Sequence, residues 1–328
     1  MVKLSTIKDV AKEAGVSVAT VSRVLNNNGY VNEETRKKVS QAINKLNYKP
    51  NAVARSLFKK QSKMIGLIVP DISNPFFPEL ARAVEDETSQ VGYTLVLCNS
   101  DGSIEKEQEY IEVLKQKYVD GFIIVTSTLR AEHIEGLGTP IVALDRPIHP
   151  STPNVGVDNY EAARTATRYL LNRGCNKIAH VRGPHNVLNA DDRCRGYLDE
   201  VQDLFWFHPG LIVNGDYNIQ KTKQVMKTLL TMCPEIDGVF AGNDLMGIGV
   251  LKAAEELEKK IPDDLSVIGF DGIFLSEITT PELTTMSQPI YEMGSTAAKM
   301  LLGIIEGNPL PKSNYIFPVN LIERKSTR

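Results

Sequence analysis

Two spacings of apolar residues divide the chain. Near the start, Ile7, Val10, Ala11 and Ala14 recur at i, i+3, i+4 and i+7 and predict a short helix with one buried stripe. Val21, Val24 and Leu25 give a second helix its buried face, which leaves Val18, Ala19, Thr20, Ser22 and Arg23 outward. Thr6 and Ser17 stand where N-caps belong, because their hydroxyls can accept from free backbone N–H groups. Gly15 lies between the two helices, where a positive φ turns the chain sharply, and the small Ala11 permits close approach. A third helix follows from Val39, Ile43 and Leu46, with Asn32 as cap and Glu33 and Glu34 in its first turn. From Met64 onward the period changes. Short β-branched runs at 65–70, 94–98, 121–125, 141–144, 177–181, 239–241 and 266–270 alternate with amphipathic stretches at 77–92, 103–117, 160–173 and 245–260. Strand–helix alternation predicts an α/β class with parallel sheets covered on both faces. The length from Met64 to the end exceeds one modest sheet, so two α/β lobes are expected.

Between the two patterns, Asn47-Tyr48-Lys49-Pro50 ends the third helix, and 51–57 is a short helical segment capped by Asn51. A helix well under about 12 residues is marginal alone in water. It forms when something supports it, such as a twin helix and a DNA groove, with Leu57 as an apolar wedge between base steps. Lys59 to Lys63 equally reads as a plain interdomain linker.

Charge sharpens the first pattern. Residues 1–60 hold 12 Lys or Arg against 4 Asp or Glu, a balance of +8 in a chain of net charge −3, which leaves −11 for the rest. A helix pair alone is often an ordinary αα-hairpin; a basic head on an acidic body is the footprint of phosphate binding. The helix-turn-helix arrangement places the second helix in the major groove. Lys37, Lys38 and Lys45 either touch phosphates or form a solvated face.

Composition changes little else. The chain has 328 residues, with 42% hydrophobic and 23% charged, as in a soluble globular protein. No apolar run approaches a membrane span and no secretory h-region opens the chain, so a cytoplasmic location is expected. Cys98, Cys175, Cys194 and Cys233 are widely spaced and read as free thiols. No P-loop, GxSxG or HExxH occurs, and His133, His149, His180, His185 and His208 lack metal-ligand spacing; these features argue against an enzyme, a metal or a cofactor.

Ligands of open α/β sheets bind outside the carboxyl ends of strands. Polar groups collect there: Asp71 and Asn74, Asp145 and Arg146, Asn243 and Asp244, Asp271, and Gln288. Arg193 lies in a loop-to-helix segment. Each alone has a dull explanation as a cap or solvated loop, but together they suit a sugar. Carboxylates accept from hydroxyls, guanidinium groups donate, and amides do both. Phe76, Phe77 and Tyr217 supply either ring faces for the sugar or core packing. Arg146 beside Asp145 is expected to favour the ionised carboxylate, a pair better suited to holding a ligand than to acid–base work.

Residues 6–57, TIKDVAKEAGVSVATVSRVLN through YKPNAVARSL, resemble the head and hinge of the LacI/GalR family of bacterial repressors. The resemblance implies two hinge helices paired over a central CpG step, with Leu57 intercalating. It implies base reading by Val18 and Ala19 through methyl contacts and by Arg23 through a bidentate guanine contact. The wider DNA-contacting set it implies is Thr6, Ser17, Thr20, Ser22, Asn26, Asn51 and Ala54. Residues 64–328 resemble the periplasmic-binding-protein-like fold, which implies three crossovers between lobes. The implied domains are 1–49, a hinge and linker at 50–63, and 64–328. The last divides into an N-lobe of about 64–162 and 291–322 and a C-lobe of about 163–290 and 323–328.

The motifs SNPFF, LDRP, DRCRGY, GDYN, GND, GFDG and SQP are similar to those of ribose-binding proteins and ribose-type repressors. Matched position by position, they imply an effector set of Asn74, Phe76, Phe77, Asp145, Arg146, Arg193, Asn243, Asp271 and Gln288, with Tyr217 where an aromatic is expected. The stretch 203–209, DLFWFHP, departs from the pattern and is expected near the surface. The implied function is a dimeric repressor released from double-stranded operator DNA when D-ribose binds between the lobes. A catabolite control-type regulator that uses Ser-phosphorylated HPr as co-repressor is the alternative. A transport binding protein would share the body but not the basic head.

Overall fold

The computed structural model describes residues 5–26, 28–48 and 61–328. The expected hinge helix, with Asn51, Ala54 and Leu57, lies outside the described residues, as does the side chain of Asn26. The chain divides into two compact units, a head through Ser62 and a body from Lys63.

The head begins with α1 (Ile7–Ala14), α2 (Val18–Asn26) and α3 (Glu33–Lys45). Local chemistry sets each end. Thr6 and Asp9 form a reciprocal capping box, so two free N–H groups at the start of α1 are satisfied. Gly15 adopts φ 65° and its N–H reaches back to the carbonyls of Ala11 and Lys12, which closes α1. The Ser17 hydroxyl accepts from Thr20 N at 3.1 Å, and Asn32 Oδ1 accepts from Thr35 N at 2.7 Å. Val10, Ala11, Val21, Val39 and Ala42 are buried together, with Ile7, Ala14, Val24, Leu25, Ile43 and Leu46 packed around them. Lys38 pairs with Glu34 and Lys45 with Glu13, so two of the three α3 lysines already have carboxylate partners on the head.

The body alternates strands and helices as expected, with more strands than the periodicity reveals. In order they are β1 (Met64–Val69), α4 (Phe76–Gln90), β2 (Thr94–Asn99), α5 (Ile104–Gln116), β3 (Gly121–Ile124), α6 (Ala131–Ile134), β4 (Ile141–Leu144) and β5 (Asn154–Val157). Then come α7 (Asn159–Asn172), β6 (Ile178–Arg182), α8 (Leu188–Val201), β7 (Ile212–Asn214), α9 (Ile219–Met232), β8 (Gly238–Ala241), α10 (Asp244–Glu256) and β9 (Ser266–Asp271). The chain ends with α11 (Leu275–Ile278), β10 (Thr284–Ser287), α12 (Ile290–Ile305), β11 (Asn314–Phe317) and β12 (Asn320–Ile322).

Two six-stranded sheets result, ordered β11-β5-β4-β3-β1-β2 and β12-β10-β9-β8-β6-β7. All pairings are parallel except β12 with β10. The chain passes from the first lobe to the second after Val157, returns before α12, and crosses again between Phe317 and Asn320. The first and third crossings fall a few residues earlier than expected: α7 packs on α8 and β12 pairs with β10, so both belong to the second lobe.

Strands β5, β7, β10, β11 and β12 escape the apolar pattern for physical reasons. In β10, Thr284 and Thr285 are buried with their hydroxyls bonded to Thr327 and Asp244, so a central strand reads as polar. The others are three or four residues long and carry Asn or Gly. The 203–209 stretch runs into a 3₁₀ turn at Pro209–Leu211; Phe205 is 99% exposed, while Trp206 and Phe207 pack on the second lobe.

Candidate functional site

The carboxyl ends of both sheets open on one cavity of about 840 Å³. All ten effector residues implied by the sequence line it: Asn74, Phe76 and Phe77 from the start of α4, Asp145 and Arg146 after β4, Arg193 on α8, Tyr217 after β7, Asn243 after β8, Asp271 at the end of β9, and Gln288 after β10. Phe76 and Phe77 meet edge to face at 5.2 Å and 88°, and both also belong to the first lobe's core. Core packing and cavity lining are one arrangement for these rings.

The second-lobe wall is wired together. Arg193 is 4% exposed; its Nε donates to Asn159 Oδ1 at 2.8 Å, and its Nη1 donates to Gly242 O at 2.6 Å and to Asp271 Oδ1 at 3.2 Å. Its guanidinium lies 3.7 Å over the Phe270 ring, the cation–π placement that suits arginine. Gln288 Nε2 donates to the same Asp271 oxygen at 2.9 Å. Asn243 caps α10 through Met246 N at 2.9 Å. Tyr217 lies across Gly183, where a Cβ would stand 2.5 Å from the ring, so only glycine lets the ring lie there.

The first-lobe wall is sparser. Asp145 is buried, with Arg146 Nε 3.3 Å from its Oδ2. Its other side-chain partner comes from the opposite lobe: Asn189 Nδ2 on α8 donates to Oδ2 at 2.9 Å. Asp145 Oδ1 and Arg146 Nε are buried with no hydrogen-bond partner, and Gln288 Oε1 is a third such atom in the cavity wall. Buried polar groups ordinarily find partners, so three unpartnered atoms on one cavity mark where a polar guest would bond.

Burial is the largest influence on the carboxyls of the cavity. Full burial pushes the Asp145 carboxyl up, and the opposing pull of Arg146, Arg193 and Asn189 does not cancel it. Arg146 favours the ionised form, as expected, but desolvation is the larger effect and leaves the carboxyl above its ordinary value. Asp271 is pushed up to about 6, first by burial, with Arg193 opposing and Asp145 adding to the rise. Asp145, Tyr217 and Asp271 adopt φ of 67°, 57° and 103°, a region that side-chain-bearing residues enter only when their surroundings hold them there.

Some cavity residues escaped the sequence reading. Asn189 lies four residues before Arg193 on the same face of α8, and that spacing is the signal that could have found it. Ser127 and Thr128 follow β3, a strand end that was passed over. Their loop is held by the buried Glu107, which accepts from Thr126 Oγ1 at 2.7 Å and from Thr128 Oγ1 at 2.5 Å. His185 also lines the cavity, whereas His180 is buried between Tyr197 and Phe240. Asp71 and Asp101 reach the cavity only at its exposed rim. Asp244 turns away from the cavity altogether. No group of three or more His, Cys, Asp or Glu among the described residues could hold a metal ion, and no helix among them is long and apolar enough to cross a membrane.

On the head, the expected DNA-facing side chains lie together on α2. Val18 is 40% exposed, Ala19 and Arg23 are exposed, and Thr20 and Ser22 are half-buried. Thr6 and Ser17 sit at the two helix starts with their hydroxyls engaged in capping.

Comparison with known proteins joins the two units. A family model described as periplasmic binding proteins and sugar binding domain of LacI family matches residues 62–325, and one for bacterial regulatory proteins of the lacI family matches residues 6–51. The ribose operon repressor of Halalkalibacterium halodurans is 50% identical over 325 residues, covering 99% of this chain and 98% of that one. The lac repressor dimer bound to operator and an anti-inducer superposes with a TM-score of 0.87 at 28% identity over 99% of each chain. A LacI family regulator from Enterococcus faecium with bound ribose superposes with a TM-score of 0.73 at 33% identity, covering 80% of this chain and 98% of that one. With a capped helix-turn-helix head and a two-sheet body whose strand ends share one polar cavity, the chain belongs to the LacI family of transcriptional repressors.

Proposed function

We propose that this repressor answers to D-ribose, which binds the cavity between the two lobes through Asn74, Asp145, Arg146, Arg193, Asn243, Asp271 and Gln288 and packs against Phe76, Phe77 and Tyr217. The observation that carries the reading is the set of unpartnered buried atoms: two acceptors, Asp145 Oδ1 and Gln288 Oε1, and one donor, Arg146 Nε. A sugar hydroxyl both donates and accepts, so a ring bearing several can satisfy all three at once. The names of the Halalkalibacterium and Enterococcus proteins support the same pentose.

The cavity is much larger than one pentose. Ribose must therefore draw the lobes together to make all its contacts, and that movement is the differential binding an inducer needs. In this reading the chain is a homodimer, in keeping with the lac repressor dimer, and Val18, Ala19 and Arg23 read the operator from the major groove. The hinge expected at 51–57 orders on DNA and loosens when the lobes close.

The test is an operator gel shift on the purified chain with and without ribose, beside calorimetry against a panel of pentoses and hexoses. Ribose is expected to weaken operator binding and to bind tighter than its epimers. Operator binding that stays constant over a wide range of ribose removes it as inducer.

A further inference from the structure

Asp244 is a buried carboxylate with no surface on the cavity, yet it stands behind the cavity's most strained residue. It opens α10, directly after the cap Asn243. An acid in the first turn of a helix usually faces solvent and complements the helix dipole. Here the side chain turns inward and both oxygens are used. Oδ2 accepts from Gly272 N at 2.8 Å and from Ile273 N at 2.9 Å; Oδ1 lies 2.6 Å from Thr285 Oγ1 on β10. One carboxyl thus ties the carboxyl end of β8 to the loop after β9 and to β10.

The neighbours are shaped around it. A Cβ on Gly269 would stand 2.3 Å from Asp244 Oδ1, and one on Gly272 would stand 2.2 Å from Ser287 Oγ. Gly272 itself has φ 80°, and Asp271 before it has φ 103°. A residue with a side chain keeps such a φ only if both flanks are held. Arg193 and Gln288 hold the Asp271 carboxylate from one side. The clamp on the next two N–H groups holds its backbone from the other.

We infer that Asp244 is a positioning residue for the effector site: it fixes the backbone of Asp271 so that the Asp271 carboxylate faces the cavity, and thereby sets sugar affinity without touching the sugar. The functional part of this inference rests on the proposed ribose site. Burial, with Asp271 adding to it, pushes the Asp244 carboxyl up to about 8. The geometry uses both oxygens as acceptors, Oδ2 from the two N–H groups and Oδ1 from the Thr285 hydroxyl. An asparagine keeps the acceptor for both N–H groups in nearly the same shape, and its amide can donate to the Thr285 hydroxyl once that hydroxyl turns; an alanine offers neither.

The experiment compares the full-length chain with Asp244→Asn and Asp244→Ala in two measurements. Amide hydrogen exchange without sugar follows the segment 266–275, and calorimetry follows D-ribose. Asp244→Ala is expected to speed exchange at Gly272 and Ile273 and to weaken ribose binding by about 10- to 100-fold, the effect of leaving buried N–H groups unmatched. Asp244→Asn is expected to restore both to within about threefold, which a general loss of packing would not produce. Unchanged exchange in Asp244→Ala overturns the clamp, and so does failure of Asp244→Asn to recover it. Unchanged ribose affinity with faster exchange overturns the positioning role. If the parent chain binds no ribose, the ribose reading falls by itself and the exchange measurement decides the clamp.

Discussion

The two walls of the cavity are built differently. On the second-lobe wall, Arg193 makes three hydrogen bonds, Asp271 is met by two side chains, and Asp244 clamps the loop behind it. On the first-lobe wall, Asp145 and Arg146 lean on each other and each keeps a buried atom without a partner. On the second-lobe wall, Gln288 Oε1 is the one such atom among the described residues that line the cavity. The difference suggests a division of labour. A preorganised wall orients the sugar without reordering its own groups. A wall left short of partners gains most when the sugar arrives, and that gain is what draws the lobes together.

The strongest way to break this comparison is to remove one arginine from each wall. Arg193→Ala is expected to weaken ribose binding more than 100-fold and to lower the melting temperature by on the order of 10 °C. Losing one partner from a buried charged network costs roughly 3–5 kcal/mol. Arg146→Ala is expected to weaken ribose binding by about 10- to 100-fold, as expected for a charge-assisted bond, with a smaller melting loss than Arg193→Ala because it makes fewer bonds. Operator binding should survive in Arg146→Ala while induction is lost. Calorimetry, thermal melting and gel shifts read all of this. Equal melting losses for the two variants would mean that both walls are structural, and the division would be wrong.

The head and the walls were legible in the sequence to different degrees. In the head each helix start is set by a neighbour within a few residues, as in Thr6 with Asp9, Ser17 with Thr20 and Asn32 with Thr35. Local readings suffice there. The ten cavity residues were legible through motif resemblance, because short motifs mark them, nine after or at strand ends and Arg193 on α8. The links between them were not. Asn189 meets Asp145 across 44 positions, and Thr285 meets Asp244 across 41. No local pattern carries such pairings. The upward push on the Asp145 carboxyl was hidden for a related reason: adjacency to Arg146 is visible in sequence, but the burial that opposes it is not. Strand β10 escaped because its buried threonines satisfy their hydroxyls at distant residues, and polarity without partners looks like a loop.

The pH dependence of ribose binding sharpens the contrast at the level of single carboxyls. Burial pushes the Asp271 carboxyl up to about 6. If sugar hydroxyls donate to its ionised form, binding below that pH must first expel a proton. Affinity is then lost as pH falls, by at most about tenfold per pH unit for one group. Between pH 7.5 and pH 5 the parent is expected to lose about tenfold in ribose affinity. Asp271→Asn should bind more weakly throughout but lose less across that range, keeping only the share that belongs to Asp145. A parent profile that is flat from pH 7.5 to pH 5 would exclude ionised carboxylates as the sugar's acceptors.

The smallest expected effect tests the one direct bond described between the walls' own side chains. Asn189 Nδ2 meets Asp145 Oδ2 at 2.9 Å without any sugar, so it holds a first-lobe carboxylate from the second lobe. Asn189→Ala removes that bond but leaves Arg146 and Arg193 nearby. One uncharged donor contributes little net, so ribose affinity is expected to fall only about threefold at pH 7.5. The pH profile carries more information than the magnitude. Asn189 helps hold the Asp145 carboxyl down against burial. Without it the carboxyl rises further, and the acid loss of affinity must begin at a higher pH than in the parent. A shift to lower pH would mean that Asn189 competes with the sugar for Asp145; the cross-lobe bond would then oppose closure.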